Sequence, residues 1–157
     1  GVTLARLEPK EAIVTVKTIL SAKGSDVITI EPNATLATAA KLLTTHNIGA
    51  VVICGLDRRV IGILSERDIV RAIVDYGFPL LEEETVGQLM TRKVVTCNPD
   101  ETVNSVMERM TAGRFRHLPV VAQNRLVGIV SIGDVLKRRV EEMKHESDSL
   151  HKYIRGA

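Results

Sequence analysis

Aromatic residues are scarce: they make up 3% of the 157 residues, with no Trp, two Tyr and two Phe. A platform that holds single-stranded nucleic acid by stacking bases on rings needs more than this, so that class is excluded. Cysteine is equally sparse. Cys54 and Cys97 lie far apart with no CxxC spacing, and both read as small apolar side chains in or near strands. No apolar run approaches the roughly 18 residues of a membrane span, and no signal-peptide pattern opens the chain. A soluble, cytoplasmic domain with reduced thiols is therefore expected, without a membrane partner. Charge of one sign is also missing. Against 21 Lys and Arg stand 19 Asp and Glu, a net charge of +2, too little to argue for a polyanionic partner.

What is present is an ordinary globular mix, 45% hydrophobic and 25% charged, which excludes disordered and fibrous classes. The length holds one domain, or two small units sharing a core. The chain repeats itself. Val27-Ile28-Thr29-Ile30-Glu31-Pro32-Asn33-Ala34-Thr35 matches Val94-Val95-Thr96-Cys97-Asn98-Pro99-Asp100-Glu101-Thr102, with Pro32 and Pro99 67 positions apart. Further on, Gly62-Ile63-Leu64-Ser65-Glu66-Arg67-Asp68 matches Gly128-Ile129-Val130-Ser131-Ile132-Gly133-Asp134 at an offset of 66. The lost residue falls between Leu56-Asp57-Arg58-Arg59 and Gln123-Asn124-Arg125, where a hairpin turn absorbs it.

Each copy reads strand, helix, strand, strand, helix. Thr35 caps a helix with Leu36, Ala39, Ala40 and Leu43 on one face, and Thr102 does the same for Val103, Val106, Met107 and Met110. The pairs Ile48 to Cys54 with Val60 to Leu64, and Leu118 to Val121 with Leu126 to Val130, read as hairpins. One copy buries too little apolar surface to be comfortable alone, so the two are expected to pack face to face. The expected organisation is an N-terminal extension over residues 1–16, a first unit over 17–75, a linker over 76–84, a second unit over 85–138 and a helical tail over 139–157. The linker mixes Gly77 and Pro79 with the acidic run Glu82-Glu83-Glu84. Val135 to Ile154 reads as a long charged helix with Leu136, Val140 and Met143 on one stripe.

Taken together, these pieces, with Arg116-His117-Leu118-Pro119, resemble a tandem pair of CBS domains, named for cystathionine β-synthase and also called a Bateman module. The resemblance covers about residues 17 to 138. It implies an α/β fold of two β-α-β-β-α units packed as a pseudo-twofold disc, with two clefts between the units. It also implies adenosine-containing ligands: AMP first, ADP or ATP next, and NAD(H) or S-adenosylmethionine in some members. Such modules regulate rather than catalyse, and many form homodimers. No catalytic or channel part is attached, so the regulated protein is expected to be a separate and unnamed molecule.

The two Gly-x-x-Ser-x-x-Asp segments admit two readings by themselves. In one, Ser caps a helix and Asp reaches back in a capping box. In the other, the helix start offers free N–H groups to a phosphate and the Asp accepts a ribose diol, with Gly leaving room for the ligand against the strand. By the resemblance, Asp68 and Asp134 bind ribose, with Ser65 and Ser131 beside them. Val27 and Val94 flank the adenine with the backbone near Ile48 and Phe115, and Thr29 is counted with this wall. The copies differ where phosphate is expected. Arg114, Arg116 and His117 align with Asn47, Gly49 and Ala50, and Arg67 adds a charge where the second copy has Gly133. Basic side chains suit phosphate oxygens, so two unequal sites are expected. Small Gly49 and Ala50 admit two readings: they open the first site to a dinucleotide, or they only let a strand pack tightly against a helix.

Three other classes compete with this reading. An enzyme needs a nucleophile with a base, paired carboxylates or metal ligands. His46, His117, His145 and His151 have no such spacing and no metal pattern, so neither catalytic nor metal-ligating residues are assigned. A nucleic-acid binder would lean on Lys137-Arg138-Arg139, but Glu141, Glu142, Glu146 and Asp148 share that tail, a solvated mixed face. The remaining alternative is a ligand-free structural dimerisation module in which both Ser and Asp pairs are only caps.

Overall fold

The computed structural model describes residues 14–156. The elements are α1 (Val16–Lys23), β1 (Thr29–Ile30), α2 (Leu36–His46), β2 (Ala50–Cys54), β3 (Val60–Ser65), α3 (Glu66–Tyr76), α4 (Leu80–Glu83) and α5 (Val86–Leu89). They continue with α6 (Val103–Gly113), β4 (His117–Ala122), β5 (Arg125–Ser131) and α7 (Ile132–Gly156). The fold is mixed α/β, with one three-stranded sheet in the order β1-β2-β3 and a two-stranded sheet of β4 and β5.

Local chemistry accounts for the repeated elements. The Thr35 hydroxyl accepts the Thr38 N–H at 3.2 Å and the Thr102 hydroxyl accepts the Ser105 N–H at 3.1 Å, so both helices start where an N-cap threonine satisfies an otherwise unpaired donor. Both also stop alike. Asn47 and Arg114 take the left-handed conformation, with φ of 51° and 58°, a common way to end a helix. β1 and β2 pair in parallel with Thr29 opposite Val52, and β2 and β3 pair antiparallel from Ala50 opposite Ser65 to Cys54 opposite Val60. The residue lost between the copies falls in the turns. Gly55 to Arg59 link β2 to β3, whereas Gln123 and Asn124 alone, both at positive φ, link β4 to β5, as a two-residue hairpin turn requires. In the second copy the first strand shrinks to a parallel bridge between Cys97 and Val120.

The described residues form two compact units, and neither coincides with one copy of the repeat. One contains the described residues up to 24, then 99–118, then those from 130; the other contains 25–98 and 119–129. In the first, α1 lies on the start of α6: Val16 N–H donates to Glu101 O and Lys17 N–H to Pro99 O, both at 2.9 Å, and Thr15 bridges Thr102. In the second, α5 lies in the same way on the start of α2. Val86 N–H donates to Ala34 O and Gly87 N–H to Pro32 O, both at 2.8 Å, and Thr85 bridges Thr35. Val16 and Val86 are fully buried at these joins. Each copy therefore lends its leading helix to the other.

The core of the second unit gathers Leu36, Ala39 and Leu43 of α2, Val51 and Ile53 of β2, Leu64 of β3 and Ile69 of α3. The segment expected as a linker departs from that reading. Leu80 on α4 is 4% exposed within this same core, because its spacing from Leu81 and from Val86 on α5 lets short helical turns bury apolar side chains between acidic ones. In the first unit, Ile19, Val103, Val106, Met110 and Val135 are buried. No helix among the described residues is long and apolar enough to cross a membrane.

Candidate functional site

Two helix starts carry the same constellation. At α3, Ser65 N–H donates to Asp68 Oδ2 at 2.9 Å and Asp68 N–H donates to Ser65 Oγ at 3.1 Å. At α7, Ser131 N–H donates to Asp134 Oδ2 at 2.8 Å and Asp134 N–H donates to Ser131 Oγ at 3.1 Å. Both are closed capping boxes, in which each side chain satisfies the other's backbone donor. The next donor is also used alike. Glu66 N–H reaches Gly49 O at 2.9 Å, and Ile132 N–H reaches Arg116 O at 2.8 Å.

These bonds decide which predicted residues come together. Around the first box they join Gly49, Ala50, Ser65 and Asp68, since Ala50 pairs with Ser65. Val27 precedes Thr29 by two residues, and the β1–β2 register sets it level with Ala50. Val27 and Ile48 are half-buried, Thr29 is exposed, and Arg67 points from the exposed side of α3. Around the second box they join Arg116, Ser131 and Asp134. Phe115, half-buried, lies over Gly113, and His117 opens β4. Val94 stands three residues before Cys97, the place Val27 holds before Ile30.

One expectation is corrected. Gly62 does not hold open space for a ligand: a Cβ there would meet Met90 Sδ, with Met90 Cγ at 2.8 Å. The glycine is set by the approach of the Met90 side chain.

The acids differ in their electrostatics. Lys23 Nζ lies 2.7 Å from Asp134 Oδ2, with the two side chains 34% and 22% exposed. Burial by itself raises the Asp134 carboxyl, but the Lys23 hydrogen bond and charge and the Ser131 bonds outweigh it and leave the group below its ordinary value. Asp68 has no ion-pair partner among the described residues. Elsewhere, burial pushes the Cys54 thiol up, partly offset by the Arg58 charge.

Two stretches of the chain, residues 16–75 and 86–141, match the CBS domain. The chain belongs to the CBS-domain family. The starts of these two CBS domains coincide with the two exchanged helices α1 and α5. The chain is 38% identical over 126 residues to the mitochondrial CBS domain-containing protein CBSX3 of Arabidopsis thaliana, a match covering 78% of this chain and 61% of that protein's length. Among solved structures, it is 46% identical to the CBS-domain protein ATU1752 of Agrobacterium tumefaciens, covering 80% of this chain and 99% of that one with a TM-score of 0.77. It is also 32% identical to the CBS-domain pair of protein MJ0100, solved with 5′-methylthioadenosine and S-adenosyl-L-methionine, covering 83% of this chain and 98% of that one with a TM-score of 0.74.

Reasoning from the sequence missed the surroundings of Asp134. A cavity of about 110 Å³ opens beside it, lined by Thr18, Ile19 and Lys23 of α1 and by Lys137, Arg138 and Glu141 of α7. The α7 residues follow Asp134 at i+3, i+4 and i+7, a face that helical spacing makes readable. Lys23 carried no such signal, because its contact depends on the exchange of α1. A larger hollow of about 510 Å³ along residues 76–89 contains none of the predicted site residues.

Proposed function

We propose that this CBS pair is a regulatory module that binds adenosine-containing ligands at its two Ser-x-x-Asp helix starts and acts on a separate protein partner. The observation that carries this reading is the duplication of one arrangement: a capped helix start, a carboxylate one turn in, and a strand carbonyl on the next N–H, built twice from matched residues. A structural cap needs the Ser and the Asp, but repetition of the whole arrangement suits two related pockets. The adenosine compounds held by the MJ0100 pair support the ligand class. AMP is the leading candidate because Arg114, Arg116 and His117 precede or open β4, and Arg matches phosphate oxygens. ADP, ATP and NAD(H) follow. A ligand shifts such a module between states by no more than its differential affinity for them, a coupling of typically ~1–3 kcal/mol.

The module is also proposed to act as a homodimer through α7. Leu136, Val140, Met143, Leu150 and Ile154 are each half or more exposed, and with Ser147 they follow the alternating 3–4 spacing of a coiled-coil seam.

The test is a thermal-shift screen of nucleotide-free protein with AMP, ADP, ATP, NAD, NADH, S-adenosylmethionine and GMP, followed by titration calorimetry. A ligand that binds only the folded state raises the melting temperature. Adenosine compounds are expected to do so and GMP is not, with Asp68→Asn and Asp134→Asn each removing one site while the protein stays folded. Unchanged melting with every compound would leave the capping boxes as caps and favour the ligand-free dimerisation module.

A further inference from the structure

The two ribose acids are not in the same electrostatic state, and the cause is a difference in helix length. α1 has eight residues where its counterpart α5 has four. One extra turn advances a helix by about 5.4 Å, and it ends on Lys23, whose Nζ reaches Asp134 Oδ2 at 2.7 Å. The same oxygen already accepts the Ser131 N–H. In the other unit Asp68 Oδ2 accepts Ser65 N–H, and no cation joins it among the described residues. The Lys23–Asp134 side chains are 34% and 22% exposed, and Lys137 lines the cavity beside them with Arg138, which already pairs with Glu141 at 3.7 Å and Glu142 at 3.8 Å.

We infer that Lys23 makes the Asp134 site selective for phosphorylated adenosine ligands over uncharged ones. The inference rests on the reading of both acids as ribose acceptors. A ribose diol arriving at Asp134 must share or displace the ammonium. A neutral nucleoside offers Lys23 no anion in return, so the ammonium gives up its 2.7 Å carboxylate partner. A ligand carrying a phosphate offers a new anion within reach of the same flexible stem. The cost of opening the pair is thus recovered only by anionic ligands. At Asp68 no such pair stands to be opened among the described residues.

The experiment uses the full chain carrying Asp68→Asn, so that only the Asp134 site remains, titrated calorimetrically with AMP and with 5′-methylthioadenosine. AMP is expected to bind more tightly by about tenfold, the worth of one charge-assisted hydrogen bond. Adding Lys23→Gln should bring the two affinities together, with AMP weakened and 5′-methylthioadenosine strengthened. Lys23→Arg should keep the preference. The inference is overturned if Lys23→Gln leaves the ratio unchanged, or if 5′-methylthioadenosine binds as tightly as AMP with Lys23 in place. Asp134→Asn on the same background separates the two levels of argument: binding that survives it refutes the ribose role itself, and with it the inference. If neither ligand binds the Asp68→Asn protein, the Asp134 site does not exist and both fall. Circular-dichroism melts of each variant establish that a loss of binding is not a loss of fold.

Discussion

Met90 Sδ and Cγ fill the space that a side chain at Gly62 would need, so Gly62→Ala overpacks β3 and should cost about 1–3 kcal/mol. Urea unfolding measures that loss. Met90→Ala removes the obstacle, and the double variant should recover part of the cost of Gly62→Ala; strictly additive losses would show that Met90 is not the cause. At this scale the sequence was legible wherever the chemistry is local. Ser65 with Asp68, and Ser131 with Asp134, lie three residues apart, and a capping box needs nothing further. Lys23 and Asp134 are separated by 111 positions, and no spacing rule links them. Gly62 shows an intermediate case: the glycine was visible in the motif, but the side chain that demands it was not.

Elements followed the same division. Both N-cap threonines, both hairpins and the helices after them were readable, since periodicity and turn residues act within a few positions. The expected start of the first unit at residue 17 lies one residue from the matched domain's start at 16, but the 67-residue register does not set α1 over α5. Yet Thr15-Val16 does in one unit what Thr85-Val86 does in the other, at an offset of 70 because α1 is longer. The Thr-Val pairs were a usable signal, hidden by that change of offset. A prediction at this scale follows from the exchange. Val16→Ala should destabilise by about 1–3 kcal/mol, the loss of two buried methyl groups plus the cavity they leave. By hydrogen exchange, protection should fall in 103–118 and 130–140 more than in β2 and β3. Equal loss in β2 and β3 would contradict the grouping of α1 with α6.

For the whole molecule, the α7 stripe makes oligomeric state a direct readout. Val140→Lys with Met143→Lys puts charge on the proposed seam, and sedimentation should show a shift toward monomer with melting of the core little changed. A variant whose mass equals that of the unaltered protein would show that the chain associates through another face. The exchange of leading helices also has a consequence for the order of events as the chain is made. α1 leaves the ribosome well before its acceptors: the carbonyls that receive it, at Pro99 and Glu101, lie about 85 residues later. At the ~5–20 residues per second of synthesis, Val16 waits roughly 4 to 17 seconds for its place, whereas α5 finds Pro32 and Ala34 already emerged. α1 is made before α5 yet housed after it, and a nascent chain stalled before residue 99 would hold one finished partnership and one helix with Val16 and Ile19 still in need of cover.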